Sequence, residues 1–168
     1  MSEQEMRVLK RNGSFEDISF DKILKRVKNL GNTMEPQLKL NYSPFVMGVI
    51  EQLYPDISTI KIDELTAEQC ASLCTKHPDY GLLASRIIIS NNHKNTISSF
   101  SETMEKLYNF KDIHNNNIPI IDSKIWNIID NNKEFFDSIV DYSRDYEIDY
   151  FGFKTLERAY LMRINKIV

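Results

Sequence analysis

Lys10 and Arg11 stand directly before an Asn12-Gly13 pair, and Lys22 opens the helical pattern that follows. Basic groups gathered near a helix N-terminus suit a polyphosphate. The guanidinium binds oxygens two at a time, the ammonium acts as a point charge, and the helix end adds unpaired N–H donors. A solvated surface pair gives the same pattern, so these residues alone leave both readings open. Thr59 and Asp63 lie four apart where a strand pattern passes into a helical one. Helix capping accounts for both types at such a junction. The functional reading is a hydroxyl facing phosphate and a carboxylate facing a sugar hydroxyl or base edge. Lys94 follows the polar run Ser90-Asn91-Asn92-His93, a pattern that a helix end or solvated face also produces.

Other chemistry finds little support. His77, His93 and His114 have no metal-motif spacing, and Cys70 and Cys74 are one pair where a zinc ribbon needs two. Asp145 and Glu147 carry paired carboxylates with nothing to set them in a cleft. The five glycines are scattered, with no phosphate-binding loop, nucleophile elbow or dinucleotide fingerprint. The sequence therefore contains no complete enzyme site.

The elements that must hold the basic residues can be read from spacing. Arg7 to Lys10 alternates apolar with charged, and Asn12-Gly13 predicts a type I′ hairpin turn. Phe20, Ile23, Leu24, Val27 and Leu30 mark the buried face of a first helix, with Gly31 as its stop. Ser43-Pro44 predicts the start of a second helix, whose stripe is Phe45, Val46, Val49, Ile50 and Leu53. Ile57, Thr59 and Ile60 suit a third strand, and Asp63 to Lys76 a third helix rich in small residues. Pro78-Asp79 opens a fourth helix that buries Leu83, Ala84, Ile87 and Ile88. The fold class expected for the first ~95 residues is mainly α within an α+β unit. Its architecture is a four-helix bundle capped by a small three-stranded β-sheet.

Beyond it, Phe100 to Tyr108 reads as a helix, Asn115 to Asn117 as a loop, and Ile125 to Val140 as two short helices. Tyr150 to Ile164 is dense in aromatic and basic residues, without a sheet or bundle of its own. With 168 residues, 42% of them apolar, the chain can bury a core. A net charge of −3 leaves no footprint for nucleic acid, and no apolar run approaches the ~20 residues that span a bilayer. The N-terminus has no signal-peptide shape, and two cysteines suit a reducing compartment, so a cytoplasmic protein is expected.

Three stretches carry a resemblance. Val8-Leu9-Lys10-Arg11-Asn12-Gly13, with Glu16 and Phe20-Asp21-Lys22-Ile23, resembles the opening of the ATP-cone module. Thr59-Ile60-Lys61-Ile62-Asp63-Glu64-Leu65 is similar to its second signature. Lys76 to Arg86, continued by Ser90-Asn91-Asn92-His93-Lys94, resembles the third. That form is found in class I ribonucleotide reductase large subunits of the eukaryotic and viral type. Tyr150 to Leu161 resembles the segment leading into the catalytic α/β barrel of those enzymes.

The resemblance implies an ATP-cone domain over residues 1–97 and a helical lead-in to the barrel over residues 98–168. It implies ATP or dATP, with Mg2+, as allosteric effector of overall reductase activity in deoxyribonucleotide synthesis. Residue by residue, Lys10, Arg11 and Lys94 match positions near the phosphates, and Lys22 lies in the same signature. Glu16 matches a position near the adenine, and Thr59 and Asp63 match contacts to sugar and phosphates. The implied partners are the remainder of the large subunit and the small radical-generating subunit, in an effector-dependent oligomer. The radical and redox cysteines of such enzymes lie beyond the matched residues, so no catalysis by this chain alone is expected, and no structural zinc. Two alternatives are a docking module that keeps the cone fold without nucleotide, and an ATP-cone transcriptional regulator. The regulator would require the two Cys pairs of a zinc ribbon.

Overall fold

The computed structural model describes residues 6–162. They hold eight α-helices and one three-stranded sheet, and they divide into two compact units. The first runs to Asn92 and resumes at Asp145; the second is His93–Arg144.

In the first unit, β1 (Arg7–Leu9) pairs antiparallel with β2 (Phe15–Asp17) and parallel with β3 (Ile57–Ser58), so β1 is central. The hairpin forms, but not through a type I′ turn. Only Gly13 takes a positive φ, of 82°. Its N–H donates to the Lys10 carbonyl at 2.9 Å, while the Asn12 side chain accepts from the Ser14 N–H at 3.1 Å. This longer connection puts Lys10 and Arg11 at the sheet's end. The third strand is shorter than the β-branched pattern predicts. The Ser58 hydroxyl caps the following helix by accepting from the Lys61 N–H, and Thr59 and Ile60 turn helical.

The helices are α1 (Phe20–Asn32), α2 (Tyr42–Ile50), α3 (Thr59–Ser72) and α4 (Pro78–Asn95). α2 begins at Tyr42, one residue before the expected Ser43 cap. Val27, Val46, Val49, Ala67, Cys70, Leu83, Ala84, Ile87 and Ile88 form a nearly solvent-free core beneath the sheet. Small residues on α3 let its axis approach its neighbours. Burial also pushes the Cys70 thiol well above its usual range, so it behaves as a small apolar group.

Gly31 is not the stop of α1. It lies inside the helix, which closes at Thr33, and a Cβ there would overlap the Tyr42 hydroxyl. The glycine is needed for close approach, not for its conformational freedom. Gly31→Ala should therefore cost about 1–3 kcal/mol from overpacking. Removing the hydroxyl with Tyr42→Phe should recover part of that loss, measured by urea unfolding of the double variant.

The stretch from Tyr150, read from sequence as having no sheet or bundle of its own, packs in its described part on the core of the first unit. In α8 (Tyr150–Ala159) Phe153 is 4% exposed and belongs to the first unit's core, and Tyr146, Ile148 and Tyr150 pack against that core.

The second unit contains α5 (Phe100–Tyr108), α6 (Ser123–Asp130) and α7 (Lys133–Ile139), centred on Ile129. Tyr108 stacks on Trp126 with centroids 5.5 Å apart, and Phe100 meets Phe136 at 5.9 Å. The Asp137 carboxylate accepts from the Ser101 N–H at 2.8 Å and from the Ser101 and Ser99 hydroxyls, fixing α7 to the start of α5. These bonds favour the charged form and hold its pKa below the ordinary carboxylate value. A depressed folded-state pKa stabilises above the unfolded value, and the contribution disappears as pH falls through the folded one. Asp137→Asn should accordingly speed amide exchange in the first turn of α5 at pH 7. As pH falls through the lowered pKa of the native carboxyl, the difference between variant and parent should disappear.

Candidate functional site

Two carboxylates organise the basic residues of the first unit. The first is Glu16 on β2. Its Oε2 accepts from Lys10 Nζ at 2.7 Å, and its Oε1 pairs with Lys22 Nζ. Lys10 comes from the hairpin turn and Lys22 from the first turn of α1, so the pair ties the sheet to that helix. These ammonium groups are well exposed, and such pairs stabilise little, at most about 1 kcal/mol. Their value is positional: they hold two cations at the sheet edge.

The second carboxylate is Asp63, on the second turn of α3 and only 6% exposed. Arg26 Nε and Nη2 donate to its two oxygens at 2.6 and 2.8 Å, a bidentate fork. Arg11 Nη2 donates to the same carboxylate at 3.1 Å. Arg11 also donates to the Thr59 hydroxyl at 3.5 Å and to the Asn91 side-chain oxygen. Arg26 reaches the Ser90 hydroxyl at 3.4 Å, and the Asn91 amide donates to the Ile60 carbonyl at 3.5 Å. One buried aspartate thus joins the hairpin turn, α1, α3 and α4. Leaving this carboxylate with no cation at all would be costly, because it would keep its desolvation without its pairing.

Capping does not account for Thr59 or Asp63. Ser58 is the cap of α3; Thr59 is its first residue, with its hydroxyl toward Arg11, and Asp63 serves the two arginines. Six of the seven residues expected from sequence therefore fall into two connected groups: Lys10 with Glu16 and Lys22, and Arg11 with Thr59 and Asp63. The seventh, Lys94, is on the last turn of α4, three residues past Asn91, and belongs to the second unit. Sequence reasoning missed Arg26. The signal was present: Arg26 follows Lys22 by four residues, which puts both on one face of α1.

With Arg26 added to these two groups, four cations face two carboxylates. A chain of net charge −3 thus concentrates positive charge where the hairpin meets α1 and the start of α3. The arrangement suits an anion with several oxygens, approached by exposed ammonium groups, a guanidinium and a helix N-terminus. It offers no nucleophile paired with a base. Among the described residues, no group of three or more His, Cys, Asp or Glu could hold a metal ion, and no helix is long and apolar enough to cross a membrane.

Comparison with known proteins agrees with this chemistry. The ATP cone domain matches residues 6–95. The chain is 44% identical over 171 aligned residues to the ribonucleoside-diphosphate reductase large subunit of Dictyostelium discoideum, covering 99% of this chain and 20% of that protein. It is 43% identical to the protein of that name in Plasmodium falciparum (isolate Dd2), over 95% of the chain and 20% of the relative. The Monkeypox virus protein of that name is also 43% identical, over 97% of the chain and 21% of its own length. The chain thus spans about a fifth of these relatives. It belongs to the ATP-cone family.

Proposed function

We propose, with membership of the ATP-cone family as premise, that this chain is the nucleotide-sensing portion of a ribonucleoside-diphosphate reductase large subunit. It binds ATP or dATP and controls the overall activity of the enzyme without catalysing reduction itself. The observation that carries the reading is the convergence of Lys10, Arg11, Lys22 and Arg26 on Glu16 and Asp63, inside the matched residues.

In this reading residues 1–97 are the cone and residues 98–168 lead toward the catalytic barrel. Lys10, Arg11 and Lys94 take the phosphates, with Lys22 adding charge, and Glu16 faces the adenine edge. Thr59 offers its hydroxyl to phosphate, and Asp63 is the group for the ribose 2′-hydroxyl. Magnesium arrives with the triphosphate, whose own oxygens and waters supply most of its ligands. A few charge-assisted hydrogen bonds of roughly 1.5–3 kcal/mol each, less association costs, reach about −8 kcal/mol, the micromolar range. Opposite responses to ATP and dATP require each effector to prefer a different assembly state, since equal affinity for both would shift nothing. The partners are the rest of the large subunit and the small subunit, in the cytoplasm.

Calorimetric titration with ATP and with dATP tests the reading, followed by light scattering in the presence of the remaining large subunit. Saturable heat with both nucleotides and a change of assembly with dATP are expected. Absence of heat with either would replace the sensor by a nucleotide-independent docking module.

A further inference from the structure

Asp63 presents an electrostatic difficulty that the geometry resolves. Its carboxylate is buried and hydrogen-bonded to Arg11, which would bring that pair to neutrality and spend the charge an anionic ligand needs. Arg26 occupies the same carboxylate more closely, with two parallel hydrogen bonds at 2.6 and 2.8 Å against one at 3.1 Å. The three side chains together keep one positive charge. Arg26 enters from α1, and its remaining contact is the Ser90 hydroxyl on α4. Arg11 also binds Thr59 at the start of α3.

We propose that Arg26 is a positioning residue that compensates Asp63, so that Asp63 can orient Arg11 toward an anionic ligand without neutralising it. The proposal rests on the nucleotide-binding reading and extends it to a side chain that need not touch the nucleotide. Without Arg26, Asp63 becomes a buried carboxylate whose charge is balanced by Arg11 alone. The local potential falls by one unit where a polyphosphate would bind.

The test is ATP affinity of the full chain by calorimetry, with helicity followed by circular dichroism. Arg26→Gln should weaken ATP binding roughly tenfold at about 0.1 M salt, and the difference should shrink near 1 M, where the screening length is only about 3 Å. Arg26→Gln combined with Asp63→Asn restores the charge balance, and with dATP, which lacks the hydroxyl assigned to Asp63, it should recover much of the affinity lost in Arg26→Gln. Arg26→Lys keeps the charge while losing the fork, and should bind ATP within about threefold of the parent. If Arg26→Gln does not fold, the comparison of Arg26→Lys with the double variant carries the test. Parent-like affinity in Arg26→Gln, a salt-independent loss, or failure of both the lysine and the double variant to bind would overturn the proposal. If the parent chain itself binds no ATP, the nucleotide-binding reading fails first.

Discussion

Arg11→Ala is expected to weaken ATP binding by roughly 10- to 150-fold, the equivalent of one or more charge-assisted hydrogen bonds worth about 1.5–3 kcal/mol. Arg11 bonds at once to Thr59, Asp63 and Asn91, so it is the side chain through which the hairpin turn meets α3 and α4. Its removal should cost stability little, about 1 kcal/mol or less, because Asp63 retains its two bonds from Arg26 and Arg11 is itself partly exposed. The prediction is a large change in affinity with a nearly unchanged urea midpoint. A fall in stability with intact ATP affinity would make Arg11 a strut rather than a ligand group.

Arg86→Met should act in the opposite way, destabilising the fold by about 3 kcal/mol or more. Arg86 is 4% exposed, and its guanidinium donates to the carbonyls of Leu30 and Gly31 at 3.2 Å and of Pro36 at 2.8 Å. These close the end of α1, where backbone acceptors lack partners within the helix. A buried cation there also suits the negative end of the helix dipole. Burial lowers the guanidinium pKa, with the Tyr42, Asp79 and Glu35 side chains opposing the shift, and an arginine so placed remains charged at neutral pH. Methionine preserves much of the stem's packing and removes all the donors. The loss therefore measures the carbonyl network, read as the shift in urea unfolding. Because α1 carries Lys22 and Arg26, ATP affinity should fall only as far as the folded population does.

The parts of the fold set by local rules were legible. Apolar spacing gave the four core helices, and Asn12-Gly13 marked the hairpin, although its turn is of another type. What spacing could not reveal were relations between distant segments. Gly31 looked like a helix stop because its need for closeness comes from Tyr42, eleven residues on and on another helix. Phe153 looked unpartnered because its core lies more than fifty residues back in sequence. In the candidate site, the cations of the hairpin and Lys22 were visible from position and from resemblance to the ATP cone. The fork from Arg26 to Asp63 was not, because a carboxylate on one helix and an arginine on another carry no mark of their pairing. Thr59 and Asp63 read as caps until the structure assigned that role to Ser58.

The hairpin turn and the starts of α1 and α3 are the proposed seat of a nucleotide's triphosphate. Titrating the isotopically labelled chain with ATP while following its backbone amide resonances addresses this residue by residue. Saturable shifts are expected at Lys10–Arg11, at Lys22 and its neighbours, at Thr59–Asp63 and around Lys94. Saturable shifts gathered elsewhere, or no shifts at millimolar ATP, would contradict it.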